Sequence, residues 1–293
     1  MRLPAWLSTH LAALRVLLVL TVLTGILYPL AITAVAQIPG LKHKADGLLV
    51  KTADGTTAAS AIIGQSFTDK DGNALVQYFQ TRPSAAGDGY DPTATAASNL
   101  GPESVVDTLP DPANKDDGGK QSLLTQVCSR SKAVGDLEGV DGRRPYCTAG
   151  GVGAVLGVFH RDGATGPVTR VVSLNEACPA TPFLASYDGV TVECAKFGED
   201  YSKGVVTPIR GDAQGLPAVP ADAVTASGSG LDPAVSPAYA KLQAARVAKA
   251  RGVEVGTVRK LIDAHTTGRA LGFFGEPSVN VVELNMDLDK RYP

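Results

Sequence analysis

Apolar residues run unbroken by charge from Val16 to Ala36, VLLVLTVLTGILYPLAITAVA, a stretch of 21 positions. At about 1.5 Å of rise per residue, a helix of that length spans about 30 Å, the hydrocarbon thickness of a bilayer. The pattern therefore predicts one transmembrane helix. Its competitor is a cleaved secretory signal, because Arg2 and Arg15 supply a basic start and Ala34-Val35-Ala36 has the small-x-small form of a cleavage site. The apolar core is longer than the about 7–15 residues of such signals, which favours a retained anchor and leaves release after Ala36 as the alternative. Gly25, Tyr28 and Pro29 mark a small and kinked face on which a neighbouring helix can pack closely.

Beyond the span the periods are shorter. Gln37 to Asp46 reads as a polar connector, and Ala61–Ile63 and Val76–Phe79 read as strands. Thr81 to Pro102, TRPSAAGDGYDPTATAASNLGP, has no period and reads as a functional or mobile loop. Gly151–His160 and Val168–Leu174 predict neighbouring strands with RDGATGP as their hairpin turn. Ser236 before Pro237 is a helix start, and the helix runs to Gly252 with Lys249 and Arg251 in its last turn. A second helix fits VGTVRKLIDAHTTG, with Val255, Val258, Leu261, Ile262 and His265 on one face and Gly268 as its stop. Val279 to Asp289 alternates well enough to read as a strand.

The four cysteines, Cys128, Cys147, Cys178 and Cys194, lie in one block, and their spacings fit no zinc or thiol-redox pattern. Disulfides are their simplest use, with three pairings open and Cys128–Cys147 plus Cys178–Cys194 closing the shortest loops. Disulfides place the bulk of the chain outside the cytoplasm and the N-terminus inside, a choice that Arg2 and Arg15 against Lys42 and Lys44 leave nearly tied. The expected fold is α+β: a cytoplasmic start at 1–15, one N-terminal transmembrane helix at 16–36, and an extracytoplasmic mixed α/β domain at 37–106 and 220–293. An inserted β-rich, disulfide-containing subdomain interrupts that domain at 107–219. A net charge of −2 supplies no field for a nucleic-acid backbone.

No complete active site is visible. The chain has no GxxxxGK[ST], no GxGxxG after a strand and no GxSxG, and His160 and His265 have no acid partner visible in the sequence. Asp69 to Asn73 imitates half a calcium loop, but Ala74 and Gln80 stand where glycine and glutamate belong, so no metal site is assigned. The stretch Val224 to Pro237, VTASGSGLDPAVSP, offers Gly228-Ser229-Gly230 as an anion nest, without a lysine to complete a phosphate site; a turn leading into the Ser236 cap accounts for the same residues. Arg82 and Asn99 are polar loop residues of the kind that recognise partners or brace their own loop.

Several of these pieces together resemble one family, the C subunit of the bacterial Kdp potassium-transporting P-type ATPase. They are AIIGQSF, YFQTRPSA, SNLGP, VTASGSGLDPAVSP, RVAKARGV, LIDAHT and GEPSVNVVELNMDLD, following the membrane helix in the family's order and covering about two thirds of the chain. The resemblance implies an accessory subunit of the cell membrane. Its implied partners are a potassium-channel-like subunit, an ATP-hydrolysing P-type subunit and a small membrane peptide. It also implies a catalytic-chaperone role that raises ATP affinity, with ATP and potassium handled by the complex and no cofactor assigned to this chain. Arg82, Asn99, Ser227, Gly228, Ser229, Gly230 and Asp232 are the expected partner contacts, and the segment at 107–219 has no recognised counterpart in the family.

Overall fold

The computed structural model describes residues 4–52, 55–211, 213 and 216–293, so the basic Arg2 of the N-terminal segment lies outside the described residues. They form two compact units, one ending at Ile62 and the other beginning at Ile63. In the first unit, α1 (Ala5–Val22) continues through a π-helical turn at Leu23–Leu27 into α2 (Tyr28–Ala36). The whole helix, Ala5–Ala36, is long and apolar enough to cross a membrane, and it starts eleven residues before the expected span. The π turn lies just ahead of Pro29, whose ring removes one N–H and crowds the carbonyl one turn earlier, that of Gly25. A short helix α3 (Lys42–Ala45) and an antiparallel pair, β1 (Leu49–Lys51) with β2 (Thr57–Ser60), complete the unit. The strand expected at Ala61–Ile63 therefore ends one residue before that stretch, and only Ala61 N–H, donating to Leu48 O at 2.9 Å, prolongs its ladder.

The second unit opens with extended chain and loops, then α4 (Leu123–Glu138), which the sequence reading missed. Its inward residues are Thr125, Cys128, Ser131 and Gly135, so no apolar stripe advertises it. The end signals are nonetheless present: Ser122 Oγ accepts from Thr125 N–H, and Gly139 closes the helix at φ +69°. A five-stranded sheet follows, built from β3 (Val155–His160), β4 (Val168–Ala177), β5 (Ser186–Tyr187), β6 (Val190–Ala195) and β7 (Val205–Pro208), in the spatial order β5-β6-β4-β3-β7. The β3–β4 hairpin falls where the pattern put it, and β4 runs parallel to β6. Its strands alternate between two small cores, Val155, Val172 and Leu174 on one side and Leu156, Val158 and Val171 on the other. Disulfides join Cys128 to Cys147 and Cys178 to Cys194, the shortest-loop pairing.

The larger core belongs to the C-terminal elements: β8 (Ala234–Val235), α5 (Pro237–Arg251), α6 (Val255–Ala264), β9 (Thr266–Thr267), β10 (Ser278–Asn280) and α7 (Val281–Arg291). Helix α5 starts on the Ser236 hydroxyl and stops at Gly252 as expected, whereas α6 ends at Ala264 with His265 as its cap, ahead of Gly268. Val279 to Asp289 is not a strand. Only Ser278–Asn280 pairs, and Asn280 then accepts from Glu283 N–H and starts a helix that buries Val281, Val282, Leu284, Asn285 and Leu288. The helical spacing 281, 284/285, 288 was hidden by the apolar run VNVV at its start.

Val76–Phe79 is not a strand either. It is a turn, in which Tyr78 N–H donates to Leu75 O at 3.1 Å, and its carbonyls are bonded by side chains. Asn285 accepts from Phe79 N–H and donates to Phe79 O, both at 2.9 Å, and Gln243 does the same for Gln80 at 2.7 and 3.1 Å. Arg246 Nη1 donates to Val76 O and Tyr78 O, and Arg251 Nε donates to Gln77 O. Asn285 and Phe79 are both fully buried. Asn285→Leu should therefore strand one donor and one acceptor and destabilise the full chain in detergent by about 2–4 kcal/mol in urea unfolding. A loss below about 0.5 kcal/mol would contradict this role.

Candidate functional site

Three residues past Phe79 the chain reaches Arg82. Its Nη1 pairs with Asp232 Oδ2 at 3.2 Å, and its Nε and Nη2 donate to the carbonyls of Thr225 and Ala226 at 3.4 Å. Arg130 Nη1, from α4, donates to the preceding carbonyl, Val224 O, at 3.1 Å. Burial draws the Arg130 pKa below its usual value without discharging it. Three successive carbonyls thus meet two guanidinium groups, which fixes the path of the chain into the glycine-serine turn. Because the Arg82–Asp232 pair is partly exposed, its worth lies in this positioning more than in net ion-pair energy, about 1 kcal/mol or less.

The turn closes on itself. Ser227 Oγ accepts from Gly230 N–H at 3.0 Å, and Ser229 Oγ accepts from Leu231 N–H at 3.1 Å. Ser227 is buried, while Gly228 and Ser229 are exposed. Gly230 is at φ +72°, and a Cβ there would stand 2.8 Å from Ala86 N, so only glycine fits. Ser84 Oγ donates to Gly230 O, and Gly64 N–H donates to Leu231 O. Downstream, Asp222 accepts from both the N–H and the hydroxyl of Ser236, holding the cap of α5. Of the nest's donors Gly230 N–H is spent on Ser227, Leu231 N–H just beyond it is spent on Ser229, and Arg82 is spent on carbonyls and Asp232. The turn-and-cap account of VTASGSGLDPAVSP explains its hydrogen bonds.

Of the expected contact residues, the structure brings Arg82, Ser227, Gly228, Ser229, Gly230 and Asp232 into one neighbourhood. Asn99 makes none of these contacts: it is exposed, at φ +52°. Tyr90 belongs to the cluster and was not foreseen. Its hydroxyl donates to Arg82 O at 2.6 Å, and its ring lies where a side chain on Gly64 would overlap it. Arg130 and Asp222 were missed as well. A groove of about 630 Å³ beside Arg82 is lined by Phe67, Tyr90, Arg130 and Tyr239 among others. The Asp69 turn is closed by its own carboxylate, which accepts from Asp71 and Asn73 N–H. His265 meets Asp287 at 3.1 Å. Among the described residues no group of three or more His, Cys, Asp or Glu could hold a metal ion.

The family described as K+-transporting ATPase, c chain (KdpC), matches residues 10–109 and 199–290. The chain belongs to the KdpC family. It is 37% identical over 280 residues to the potassium-transporting ATPase KdpC subunit of Kineococcus radiotolerans, covering 96% of this chain and 92% of that one. The KdpC subunit of Myxococcus xanthus is 34% identical over 287 residues, 97% and 89% of the two chains, and that of Mycobacterium bovis is 35% identical over 283 residues, 96% and 97%. Alignments of that length run through the stretch between the two KdpC-matched segments. The family model itself leaves 110–198 unmatched, while these three relatives align through that stretch.

Desolvation pushes the Tyr90 phenol up to about 12 from 10.0, so it remains a donor to Arg82 O at neutral pH. A folded-state pKa above the unfolded one gives stability that is complete below pH 10.0 and is lost as pH climbs toward about 12. The stability difference between wild type and Tyr90→Phe should shrink across that window in unfolding titrations; a difference independent of pH would contradict the assignment.

Proposed function

We propose that this chain is a non-catalytic accessory subunit that assembles and stabilises an ATP-driven potassium importer. The observation that carries the reading is the internal closure of the turn shared with the family. Arg82 closes on Asp232 and Ser227 on Gly230, and Gly228 and Ser229 remain outward as a shaped contact surface. Such a turn presents form to a partner, with its Gly230 N–H already spent on Ser227.

The partners are the potassium-channel-like subunit, the ATP-hydrolysing P-type subunit and the small membrane peptide of that complex. Gly25, Tyr28 and Pro29 lie at or beside the π turn of the membrane helix, and they form the face that packs against neighbouring membrane helices. The two disulfides support a domain outside the cytoplasm with the N-terminus inside. From there the turn cannot meet cytoplasmic ATP, so any rise in the ATPase subunit's nucleotide affinity is transmitted through the assembled complex.

All four native cysteines are in disulfides, so Ser229→Cys introduces the one free thiol of the chain. In intact cells a membrane-impermeant maleimide should label it. Protection that ends only on permeabilisation would put the turn in the cytoplasm and reopen direct nucleotide contact.

A further inference from the structure

Strands β9 and β10 pair antiparallel, Thr267 opposite Ser278 and Thr266 opposite Val279, so residues 268–277 form the tip of a hairpin rooted in the main core. The tip reads GRALGFFGEP and carries its apolar residues outward: Leu271, Phe273 and Phe274 are 83%, 63% and 58% exposed. The turn is held in shape by Ala270 N–H donating to Phe274 O at 2.8 Å and Phe274 N–H donating to Ala270 O at 2.9 Å. Gly272 and Gly275 sit at φ +83° and +78°, and Leu271, which has a Cβ, sits at +53°. The Phe273 and Phe274 rings pack with centroids 4.2 Å apart. At the base Arg269 Nη2 meets Glu276 Oε2 at 2.6 Å, with Glu276 79% exposed.

Strain and hydrogen bonds are thus spent on presenting three large apolar side chains to solvent, the reverse of what folding alone favours. The arrangement has the anatomy of a binding hot spot: a preordered aromatic centre within a polar collar of both signs. The collar also selects the kind of partner. Arg269 and Glu276 neutralise one another at the base, so the collar carries no net positive charge to draw the tip onto an anionic headgroup layer, whereas a protein rim can match both members with opposite charges. The tip lies inside the KdpC-matched segment 199–290.

We propose that this hairpin tip is a plug that seats Leu271, Phe273 and Phe274 in an apolar, polar-rimmed cleft on another protein chain of the same ATPase. The assignment rests on the accessory-subunit reading above and adds the residues by which the domain docks. The plug is distinct from the Arg82–Asp232 turn in sequence and in chemistry.

The test uses the full chain co-expressed with the other chains of the complex and purified through a tag on one of them. Co-purification of the wild-type chain checks the underlying reading, and its failure would remove that reading and the plug with it. With assembly established, p-benzoylphenylalanine at position 273 should form a covalent adduct with another protein chain on illumination. The variant Leu271→Ser/Phe273→Ser/Phe274→Ser should bind about tenfold more weakly or worse, with the melting temperature of the isolated chain unchanged. In an assembled complex, adducts only with lipid, no adduct, or wild-type recovery of the triple variant would each overturn the plug.

Discussion

Backbone with no neighbouring strand must place its N–H and C=O groups somewhere: from Val76 to Gln80 the chain turns, Tyr78 N–H donating to Leu75 O, and all five carbonyls and the N–H groups of Phe79 and Gln80 meet side chains of α5 and α7. Gln243 and Asn285 each offer one acceptor and donors on a single amide, so each imitates the edge of a strand for one residue. Arg246 and Arg251 take the remaining carbonyls, and the Arg251 guanidinium lies 4.9 Å over the Tyr78 ring. The strap draws the N-terminal part of the domain onto its C-terminal helices, and it sets where Arg82 begins. The Arg82–Asp232 pair, the Tyr90 hydroxyl and the closed glycine-serine turn all depend on that starting point.

Arg246 also ties the KdpC-matched parts to the stretch between them. Its Nε donates to Glu138 Oε1 at 2.9 Å, at the last turn of α4, where both side chains are nearly withdrawn from water. Burial raises the Glu138 pKa, and the Arg246 charge and hydrogen bond oppose that rise. A pair of this kind adds little net stability but penalises the loss of either member, since the survivor is left buried and charged. The cysteine-bearing stretch is therefore fastened to the same arginine that straps Val76 and Tyr78. Cys128, on α4, joins the helix to the loop at Cys147.

What could be read from the sequence followed the strength of local patterns. The long apolar helix, the β3–β4 hairpin and α5 carry long periods or unambiguous caps, and they stand where those signals placed them, apart from the earlier start of the apolar helix. Helix α4 was hidden because its buried face is Thr, Cys, Ser and Gly, and α7 because it opens with an apolar run that also suits a strand. Val76–Phe79 has the composition of a strand but forms a turn, and amide and guanidinium side chains more than 160 positions away, which leave no local trace, bond its carbonyls. The site behaved likewise. Arg82, Ser227, Ser229 and Asp232 stood out as polar residues in loops, but a contact across 150 positions leaves no local trace, and Tyr90 and Arg130 offered no motif.

The strap is tested most directly by amide hydrogen exchange of the full chain in a detergent micelle or lipid nanodisc. Phe79 and Gln80 lie outside any regular strand or helix, yet their N–H groups donate to Asn285 and Gln243. The account predicts that both exchange as slowly as the core amides of α5. Exchange at the rate of an exposed loop would show that the segment is not held by those side chains, and would remove the basis on which the Arg82 turn is positioned.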